Sequence, residues 1–438
     1  MKKVVKFGGS SVANAGQFKK VADIIKSDKA RRYIVVSAPG KSNPKDEKIT
    51  DLLYRLYDEI TAGKSYKKTM TAIRKKYVSI ADDLGLKFNV DYELDKIERD
   101  INEGAGRDYA ASRGEYLCAH MMSEYLGYDF VDSADMIIFN DDGSVDYDRT
   151  YEEIARTLEN VKKAVIPGFY GSLHDGSIKT FTRGGSDVTG SLIAKAITAD
   201  MYENWTDVSG FMVADPRIVK NPKVIETVTY AELRELSYMG ASVLHEDAFF
   251  PVRKDGIPIH IKNTNDPDAP GTLIVESTCK NSKYMITGIA GKKGFCSVNV
   301  DQPMMNSIVG FCMNVLKVFA DNGLSIEHMP SGIDTMSVFV HQSEFEDKEQ
   351  QIISGIHRAV KPETVMVDTG ISLIAVVGRG MKSVQGIAGR IFSALAHVGV
   401  NIKMIDQGSS ELNIIIGVKD SDFETAIRAI YEIFVDAE

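Results

Sequence analysis

A lysine stands directly before a pair of glycines at the end of the first strand-like run of this chain. The stretch KFGGSS, from Lys6 to Ser11, follows the apolar run KVV and precedes a helix-like run. Ligands of open α/β sheets bind outside the carboxyl ends of the strands. Gly8 and Gly9 can adopt positive φ and let backbone N–H groups converge on an anion, and the next helix adds the partial positive charge of its N-terminus. The stretch predicts a phosphate-binding corner with Lys6 as its cation, although an ordinary turn beside a solvated lysine also fits.

A second glycine-rich corner occurs in FTRGGSDVTGSLIAKA, where Arg183 precedes two glycines and Ser186 and Asp187 open a helix-like run. A guanidinium at a helix N-terminus is poorly placed for the helix dipole, yet it can bind a carboxylate through two parallel hydrogen bonds. Ser186 could simply cap the helix, and Asp187 could simply complement its dipole. We expect Arg183 to bind a carboxylate. Whether Asp187 only complements the helix dipole or takes part in a site stays open.

Three further stretches carry polar or charged residues near the ends of predicted elements. Thr206 and Asp207 follow a strand-like run in WTDVSGFMVADPRIV, and Arg217 lies in the ADPR turn of the same stretch. Arg217 could bind phosphates or remain solvated. Lys262 ends the strand-like run PIHIKN and is a second candidate cation. Glu115, in SRGEYLCAHMM, could complement a helix dipole or bind a substrate ammonium group.

Several common kinds of site are missing from the sequence. There is no GxGxxG, the GKS at Gly40 has Val35 where the Walker pattern needs glycine, and the HRD and DFG triplets of protein kinases do not occur. The four cysteines form no CxxC pair, which argues against a zinc site or a disulfide scaffold and favours a reducing compartment. A net charge of −9 argues against nucleic-acid binding. The apolar runs are too short to span a membrane, and the N-terminus resembles no secretory signal, so we expect a cytoplasmic protein.

Residues 1 to about 275 alternate strand-like and helix-like stretches, which predicts a three-layer α/β domain with a mostly parallel sheet. KVVKF and YIVVSA are rich in β-branched residues. Between them, QFKKVADIIKS places Phe18, Val21, Ala22 and Ile25 on one helical face. The charged stretch from Asp46 to Gly106 is helical in pattern, and we interpret it as an addition outside the sheet.

The composition changes after Val275, where the polar stretch ESTCKNSKY indicates a linker. Two similar units follow, each with a helix, a glycine, two strands and a second helix, at a period of roughly 75 residues. The second unit needs one more strand to complete a βαββαβ sheet, and the earlier stretch MITGIAGKKGFCSVNV could supply it. We therefore predict an α/β domain over residues 1–280 and two smaller units over 285–365 and 366–438, with the second unit interleaved with strands near 285–301.

These stretches occur together and in the same order in the aspartate kinases (aspartokinases), members of the amino-acid kinase fold, and the whole chain resembles that family. The paired C-terminal units resemble ACT domains, which are ferredoxin-like βαββαβ modules that bind small regulatory molecules. The resemblance implies ATP-dependent phosphorylation of the β-carboxylate of L-aspartate, at the head of lysine, threonine and methionine biosynthesis. The matching blocks are VVKFGGSSV, VVSAPGK, SRGE, FTRGGSDVTGSLIA, TDVSGFMVADPRIV, ELSYMGASVLH and PIHIKNTNDPDAPGT.

The resemblance also implies roles for individual residues, carried over by matched motif. Lys6 would stabilise the transferred phosphoryl group, and Asp187 would organise the cations of the site. Glu115 would bind the ammonium group of aspartate, and Arg183 its α-carboxylate. The other implied contacts are Gly8 and Gly9 with the phosphates, Ser37, Thr50 and Ser186 with the substrate, and Ser10, Thr206, Asp207, Met212, Arg217 and Lys262 with the nucleotide. Family members commonly have tyrosine in place of Met212, so Met212 is expected only to line the adenine pocket.

The implied reaction has a nucleophile that is already charged, because a carboxylate is ionised at pH 7 and needs no general base. Catalysis should therefore consist of charge neutralisation and in-line positioning. Lysines, glycine amides and Mg²⁺ suit that task. The sequence shows no protein cage for a metal, so we expect Mg²⁺ to be held mainly by ATP oxygens and water.

Regulation by an amino acid is implied by the two ACT units. The residues at the helix start and following strand, where effectors of the family bind, are Asn306, Ile326, Glu327 and Ser331. Glu327 could accept a positive charge, which favours L-lysine, or could be a surface acid on an exposed strand. Because SIEHMPSGID departs from the SVDLITTSE of many relatives, threonine stays open as the effector. The resemblance further implies a homodimer through the ACT units, with a tetramer left open.

Two other functions are alternatives to this one. Another amino-acid kinase, acting on glutamate or acetylglutamate, would lack the paired ACT units and the combination of TRGGSD with SRGE. An amino-acid sensor with an inactive kinase domain would have no need of Lys6, Arg183, Asp187 and Lys262.

Overall fold

The computed structural model describes residues 1–43, 45–182, 184–241, 246–278 and 285–436 of the chain. The chain divides into two compact units. The first unit contains Met1–Phe211, Glu226–Tyr230 and Val243–Thr278, and the second contains Met212–Ile225, Ala231–Ser242 and Cys279–Glu438. Two segments that precede residue 280 therefore group with the C-terminal part of the chain.

The helices and strands follow the alternation expected from the sequence. In chain order the helices are α1 (Ala15–Ser27), α2 (Ile49–Thr61), α3 (Lys67–Leu84), α4 (Val90–Asn102), α5 (Arg107–Leu126), α6 (Tyr147–Leu158), α7 (Gly185–Ala196), α8 (Tyr230–Tyr238), α9 (Glu246–Arg253), α10 (Phe311–Asp321), α11 (Gln342–Phe345), α12 (Glu349–Val360), α13 (Ile387–His397) and α14 (Phe423–Tyr431). The strands are β1 (Lys3–Phe7), β2 (Arg31–Val36), β3 (Asp129–Phe130), β4 (Ile138–Phe139), β5 (Ala164–Pro167), β6 (Tyr170–Leu173), β7 (Ile178–Thr180), β8 (Met201–Thr206), β9 (Thr227–Thr229), β10 (Ile259–Asn263), β11 (Thr272–Val275), β12 (Gly288–Asp301), β13 (Thr335–His341), β14 (Thr364–Val377), β15 (Met404–Asp406) and β16 (Asn413–Lys419).

The first unit is built on a sheet with the strand order β3-β5-β2-β1-β8-β10-β11-β9. Its strand pairs are parallel except for β10 with β11, so the predicted mostly parallel sheet is confirmed. A smaller sheet has the order β4-β6-β7. Strand β1 lies in the middle of the large sheet between β2 and β8, so Lys6 is carried to the carboxyl edge of the sheet by a fully paired strand.

The two faces of β1 lead to different surroundings because successive side chains of a strand alternate. Val5 and Phe7 pack in one apolar cluster with helices α1 to α5. Phe18, whose helical face was predicted from spacing, is buried in this cluster, and the other members of that face are buried as well. The stretch 46–106 forms α2, α3 and α4, as its pattern predicted. Lys6 points to the opposite face, toward α7.

The second unit is built on a sheet with the order β13-β12-β14-β16-β15. Two long strands, β12 and β14, run through both halves of this sheet, the half with β13 and the half with β16 and β15. The first part of β12 pairs with the end of β14, and the second part pairs with both β13 and the start of β14. Val298 and Val338 face a core formed with α10 and α12. The unit is therefore held together by strands that belong to both halves.

One predicted strand of the second unit does not form as a regular strand. Residues 324–331 make only isolated bridges, from His328 to Phe339 and from Ser331 to Met336. Pro330 lies between these bridges, and a proline has no N–H to donate to a ladder. The prediction of a strand here, which depended on apolar alternation, was wrong because Pro330 has no N–H donor and interrupts the pairing.

A buried ion pair holds α8 within the second unit, and its loss should be costly. Glu232 is fully buried and accepts hydrogen bonds from Arg379 Nη1 at 2.8 Å, from the Arg379 backbone N–H at 2.9 Å and from Thr287 Oγ1 at 2.6 Å. Replacing Arg379 by methionine would remove this guanidinium from a buried carboxylate. We expect a destabilisation of about 3–5 kcal/mol, measured as a lowered calorimetric unfolding transition.

The control for this prediction removes both charges at once. The double variant Glu232→Gln with Arg379→Met should recover much of the stability, because a neutral amide has a smaller desolvation cost than a carboxylate. An Arg379→Met variant that unfolds at the wild-type temperature would show that the pair contributes nothing.

Candidate active site

Lys6 lies in a buried ion pair at the carboxyl edge of the large sheet. Its side chain is 10% exposed, and its Nζ is 2.5 Å from Asp187 Oδ1. Helix α7 begins at Gly185, and the preceding Gly184 has a φ of 57°, a conformation that glycine adopts at little cost. This turn places Asp187 in the first turn of α7, above the end of β1. The interpretation of Lys6 as a solvated side chain beside a turn is therefore wrong.

Asn204 completes this cluster, and the sequence analysis did not identify it. It is the register partner of Lys6 on β8, it is 4% exposed, and its Nδ2 donates to Asp187 Oδ1 at 2.8 Å. Tyr202, two residues earlier on the same face of β8, donates its hydroxyl to the Asp187 carbonyl at 3.1 Å. Its position two residues before Thr206, on the same face of the strand-like run, was the signal that could have revealed Asn204.

The glycine loop after β1 is shaped by the close approach of the loop after β2, and not by positive φ. Gly8 has a φ of −69°, and Gly9 is not among the residues with positive φ, so that part of the expectation is wrong. The Gly8 N–H donates to the Trp205 carbonyl at 3.0 Å, which removes it from the amides that an anion could use. A Cβ on Gly40 would lie 2.6 Å from the Gly9 carbonyl carbon, and the Gly40 N–H donates to Gly9 O at 2.8 Å. The two loops that follow β1 and β2 are therefore locked together.

Glu115 is a buried carboxylate with an oxygen that has no hydrogen-bond partner. It is 5% exposed, and Oε2 is buried without a partner among the described residues. Burial raises the pKa of Glu115 to about 8, against the opposing effects of the Ala38 N–H, its own N–H and the charge of Arg113. It lies in the middle of α5, so the alternative role at a helix terminus is wrong. A buried, unpaired acceptor of this kind suits a cationic ligand group.

The loop after β2 connects Glu115 to the glycine corner. The Ala38 N–H donates to the Glu115 carboxylate, and a Cβ on Gly9 would lie 2.9 Å from Ala38 O. A Cβ on Gly114, the neighbour of Glu115, would lie 2.9 Å from Ala38 Cβ. Because even a Cβ would be too close to Ala38 at Gly9 and at Gly114, both segments pack tightly against the loop after β2. The structure thus brings Glu115 and the Lys6 corner to the same edge of the sheet.

The other predicted substrate residues lie at the ends of the same elements. Ser37 is half-buried directly after β2, and its N–H donates to Phe7 O at 3.1 Å. Thr50 is half-buried in the first turn of α2. Ser186 is 8% exposed, and a Cβ on Gly168 would lie 2.6 Å from its Cβ. Arg183 lies outside the described residues.

The predicted nucleotide residues of the first unit meet where β8 and β10 end. Thr206 O accepts from the Thr264 N–H at 2.8 Å, and Thr206 Oγ1 donates to Asp207 Oδ1 at 3.3 Å. Lys262 donates to Ala269 O at 2.6 Å and lies 5.6 Å from the centre of the Trp205 ring. Burial lowers the pKa of Lys262. Ser10 is half-buried in the turn after β1, close to Ser11, whose hydroxyl is 2.7 Å from that of Thr264.

Two predicted nucleotide residues belong to the second unit. Met212 is half-buried and forms an antiparallel bridge with Val224. Arg217 is exposed, and its guanidinium binds the Asp215 carboxylate, with Nε at 3.0 Å and Nη2 at 2.6 Å. Their contact with a nucleotide stays a prediction.

The predicted effector residues differ in their surroundings. Asn306 and Ser331 are exposed, and Ile326 packs against the core of the second unit. The Glu327 side chain is only 8% exposed, and it lies 3.3 Å from His341 Nε2 and accepts from the Tyr238 hydroxyl at 2.6 Å. Burial and this hydrogen bond raise the pKa of Tyr238 to about 12. Glu327 therefore has partners, and the alternative of a surface acid on an exposed strand is wrong.

Two kinds of feature are absent from the described residues. In the part of the chain that the structure describes, no three or more His, Cys, Asp or Glu side chains are grouped to hold a metal ion. The described helices include none long and apolar enough to cross a membrane.

Comparison with known families places this fold and site in a class. The model of the amino acid kinase family matches residues 1–263, and an ACT domain model matches residues 374–434. The protein is thus an amino-acid kinase that carries ACT regulatory structure, as its fold predicted.

Comparison with individual relatives identifies the family within the amino-acid kinases. Aspartokinase 3 of Bacillus subtilis (strain 168) is 38% identical over 450 residues, which cover 99% of this chain and 98% of that protein. The crystal structure of aspartate kinase from Clostridium acetobutylicum is 49% identical with a TM-score of 0.89, over 99% of this chain and all of that one. The chain belongs to the aspartokinases, phosphotransferases that act on aspartate.

A more distant relative has been seen with ligands. Aspartokinase III of E. coli, 25% identical with a TM-score of 0.73 over 99% of each chain, has been crystallised with aspartate and ADP in an R-state. The same enzyme has been crystallised with lysine and aspartate in a T-state, at the same identity and TM-score.

Proposed function

We propose that this aspartate kinase transfers the γ-phosphoryl group of ATP to the β-carboxylate of L-aspartate and forms 4-phospho-L-aspartate, at the head of lysine, threonine and methionine biosynthesis. The observation that carries the proposal is the unpaired, buried Oε2 of Glu115, at the sheet edge that also holds the Lys6–Asp187 pair. Substrate binding needs an acceptor for an ammonium group, and phosphoryl transfer needs a cation for developing negative charge. The E. coli relative crystallised with aspartate and ADP supports both substrates.

Each residue then has a task that its surroundings suit. The Glu115 carboxylate binds the ammonium group of aspartate, and Arg183 binds the α-carboxylate. The Lys6 ammonium neutralises charge on the transferred phosphoryl group in a site of low dielectric constant. Because the nucleophile is an ionised carboxylate, the protein supplies position and charge and no general base.

The remaining substrate and nucleotide contacts keep the roles implied by their motifs. Ser37, Thr50 and Ser186 border the aspartate site, and Ser10, Thr206, Asp207, Met212, Arg217 and Lys262 contact the nucleotide. The Gly9 region contributes backbone donors to the phosphates, whereas the Gly8 N–H is already bound to Trp205. Gly8 is therefore assigned a structural task, in which its N–H joins the first loop to the end of β8.

Mg²⁺ suits the oxygen donors of this site, the Asp187 carboxylate and the ATP phosphates, since its preferred ligands are oxygens and it usually keeps several waters and substrate phosphates. Asp187 would hold it together with ATP oxygens. When bound, the ion would supply charge neutralisation at the phosphates. Asn204 and Lys6 both bind Asp187 Oδ1 and so orient this carboxylate.

The second unit is proposed to bind an amino-acid effector, with L-lysine favoured, through Asn306, Ile326, Glu327 and Ser331. The E. coli relative crystallised with lysine supports this choice. A homodimer through this unit, with a tetramer left open, is supported by an exposed apolar surface close to the same residues. Its members are Met304, Ile308, Val309, Met313 and Ile333. The proposed location is the cytoplasm, as the cysteine usage indicated.

The activity can be tested by a hydroxamate assay with ATP and Mg²⁺, in which L-aspartate and L-glutamate are compared as acceptors. We expect acyl phosphate with aspartate and little with glutamate, and inhibition when L-lysine is added. L-Threonine, alone and with lysine, identifies the effector. Equal rates with glutamate would contradict the proposed substrate, and no acyl phosphate from either acceptor would favour the sensor with an inactive kinase domain.

A further inference from the structure

A row of three side chains crosses the large sheet where its central strands end. Phe7 on β1, Trp205 on β8 and Lys262 on β10 are register partners along this row. Lys6 and Asn204 form the row one residue earlier, and successive side chains of a strand lie on opposite faces. Phe7 and Trp205 belong to the apolar cluster with α1 to α5, whereas Lys6 points toward α7. The two candidate cations of the site, Lys6 and Lys262, therefore leave opposite faces of the sheet.

The Trp205 ring is held in place by its own surroundings. It is 1% exposed, and the Phe7 ring stacks on it with 6.0 Å between the ring centres. Its Nε1 donates to Glu203 Oε2 at 2.9 Å. Glu203 is itself 2% exposed and is ion-paired with Lys3 Nζ at 2.7 Å and with Arg31 Nε at 2.8 Å. Burial opposes the ionisation of Glu203, but Arg31 and Lys3 lower its pKa overall, so the indole N–H has a charged acceptor.

Lys262 meets this ring from the neighbouring strand. Its Nζ lies 5.6 Å from the centre of the Trp205 ring, within the range of a cation–π interaction. The same Nζ donates to Ala269 O at 2.6 Å, and a Cβ on Gly271 would lie 3.2 Å from Lys262 Cδ, so the segment before β11 packs on the side chain. No carboxylate of the described residues forms an ion pair with this ammonium group. Its charge is therefore placed by a ring and a carbonyl and is not neutralised by a carboxylate.

We propose that Trp205 is a positioning residue of the nucleotide site, whose electron-rich ring holds the Lys262 ammonium group at the end of β10. An aromatic ring attracts a cation without neutralising it, so the charge of Lys262 stays available for the phosphates of ATP. Trp205 is 1% exposed, so it acts through Lys262 and not by contact with the nucleotide. The inference rests on the proposed nucleotide contact of Lys262 and adds the group that fixes this lysine.

The chain has a single tryptophan, which allows a test that leaves the shape of the ring almost unchanged. Biosynthetic incorporation of mono-, di- and trifluorotryptophan changes Trp205 alone, and each fluorine withdraws electron density from the ring and weakens its attraction for a cation. The measurement is isothermal titration calorimetry of the full chain with Mg²⁺ and a β,γ-imido analogue of ATP, without aspartate. We expect the affinity to fall with each added fluorine, by about tenfold over the series. An affinity that fluorination leaves unchanged would overturn the proposal.

Variants of Lys262 show whether the effect passes through this lysine. Lys262→Met should weaken binding of the analogue about tenfold or more and abolish the dependence on fluorination. Lys262→Arg, which keeps a cation over the ring, should retain that dependence. Lys163→Met is the matched control, because it removes a lysine 4.8 Å from the centre of the Tyr128 ring at the amino end of β5, and it should change the affinity less than twofold. An equal dependence on fluorination in Lys262→Met would overturn the proposal, since the effect would then come from another contact of the ring, such as Arg31.

The outcomes also separate this inference from the proposed function. If Lys262→Met weakens binding and fluorination does not, Trp205 has no positioning role, and the proposed nucleotide contact of Lys262 stands. If Lys262→Met binds the analogue as tightly as the wild type, that contact and this inference are both wrong, while the phosphorylation of aspartate is decided by the hydroxamate assay. Equal thermal unfolding temperatures of the variants show that they fold.

Discussion

Replacement of Lys6 by alanine is expected to lower the kcat of aspartyl phosphate formation by about 10²-fold or more. The Lys6 side chain is 10% exposed and its ammonium is ion-paired with Asp187, so its charge acts in a site that excludes most water. An interaction that strengthens only as charge moves onto the transferred phosphoryl group affects kcat more than KM. The measurement is steady-state kinetics in the hydroxamate assay, with ATP and aspartate varied separately.

Two controls separate this role from a folding effect. Lys19→Ala removes an exposed lysine of α1 and should leave kcat unchanged. Lys6→Met keeps the apolar stem and should lose as much activity as Lys6→Ala. Binding of ATP to these variants can be followed by the fluorescence of Trp205, the only tryptophan of the chain, whose ring centre is 5.6 Å from Lys262 Nζ. A near-normal kcat in both Lys6 variants would contradict the role that we assign to Lys6.

Replacement of Glu115 by glutamine is expected to raise the KM for aspartate about 100-fold or more, with a much smaller effect on the KM for ATP. The loss follows from the removal of a charged hydrogen-bond acceptor at a buried site. The same acceptor explains an expected pH dependence. Because the pKa of Glu115 is about 8 and an ammonium ligand favours its ionised form, the wild-type KM for aspartate should fall as pH rises toward 8. A KM that responds neither to the variant nor to pH would contradict the assignment.

The same variant is expected to be more stable than the wild type at high pH. Burial raises the pKa of Glu115 from its ordinary value of 4.5 to about 8 in the folded chain. Between these pH values the unfolded chain has lost a proton that the folded chain keeps, so wild-type stability falls as pH rises from about 4.5 and the full penalty is reached above about 8. The penalty is of the order of a few kcal/mol.

Glutamine has no such penalty, because it does not ionise. Thermal unfolding should therefore show a gain for Glu115→Gln that is large at about pH 8.5 and small at about pH 5. Gln350→Glu, with the opposite change at an exposed position of α12, is a control that should show little of this pH dependence. A gain that is the same at both pH values would show that ionisation of Glu115 is not its cause.

Much of the first unit was predicted from the sequence because the determining interactions are local. Alternation identified β1, β2, β8 and β10, and helical spacing identified the buried face of α1. Since the carboxyl ends of parallel strands meet at one edge, Lys6 and Lys262 were expected at the same edge of the sheet, and the structure has them on strands separated only by β8. The order of the motifs was then enough to indicate the family.

Tertiary structure alone decided which of these residues have partners and which do not. Asn204 binds Asp187 because register puts β8 beside β1, and the unpaired Oε2 of Glu115 results from burial by the loop after β2. Gly9 of the first corner is required by a second loop, because a Cβ at Gly9 would lie 2.9 Å from Ala38 O, and no local pattern contains this contact. Glu327 likewise obtains its partners from residues distant in sequence. The sequence by itself determined the elements, the strand edge and the family, since these depend on local periodicity and motif order. The protonation, pairing and closeness of the site residues were decided only by the tertiary structure, because they depend on packing between segments far apart in the chain.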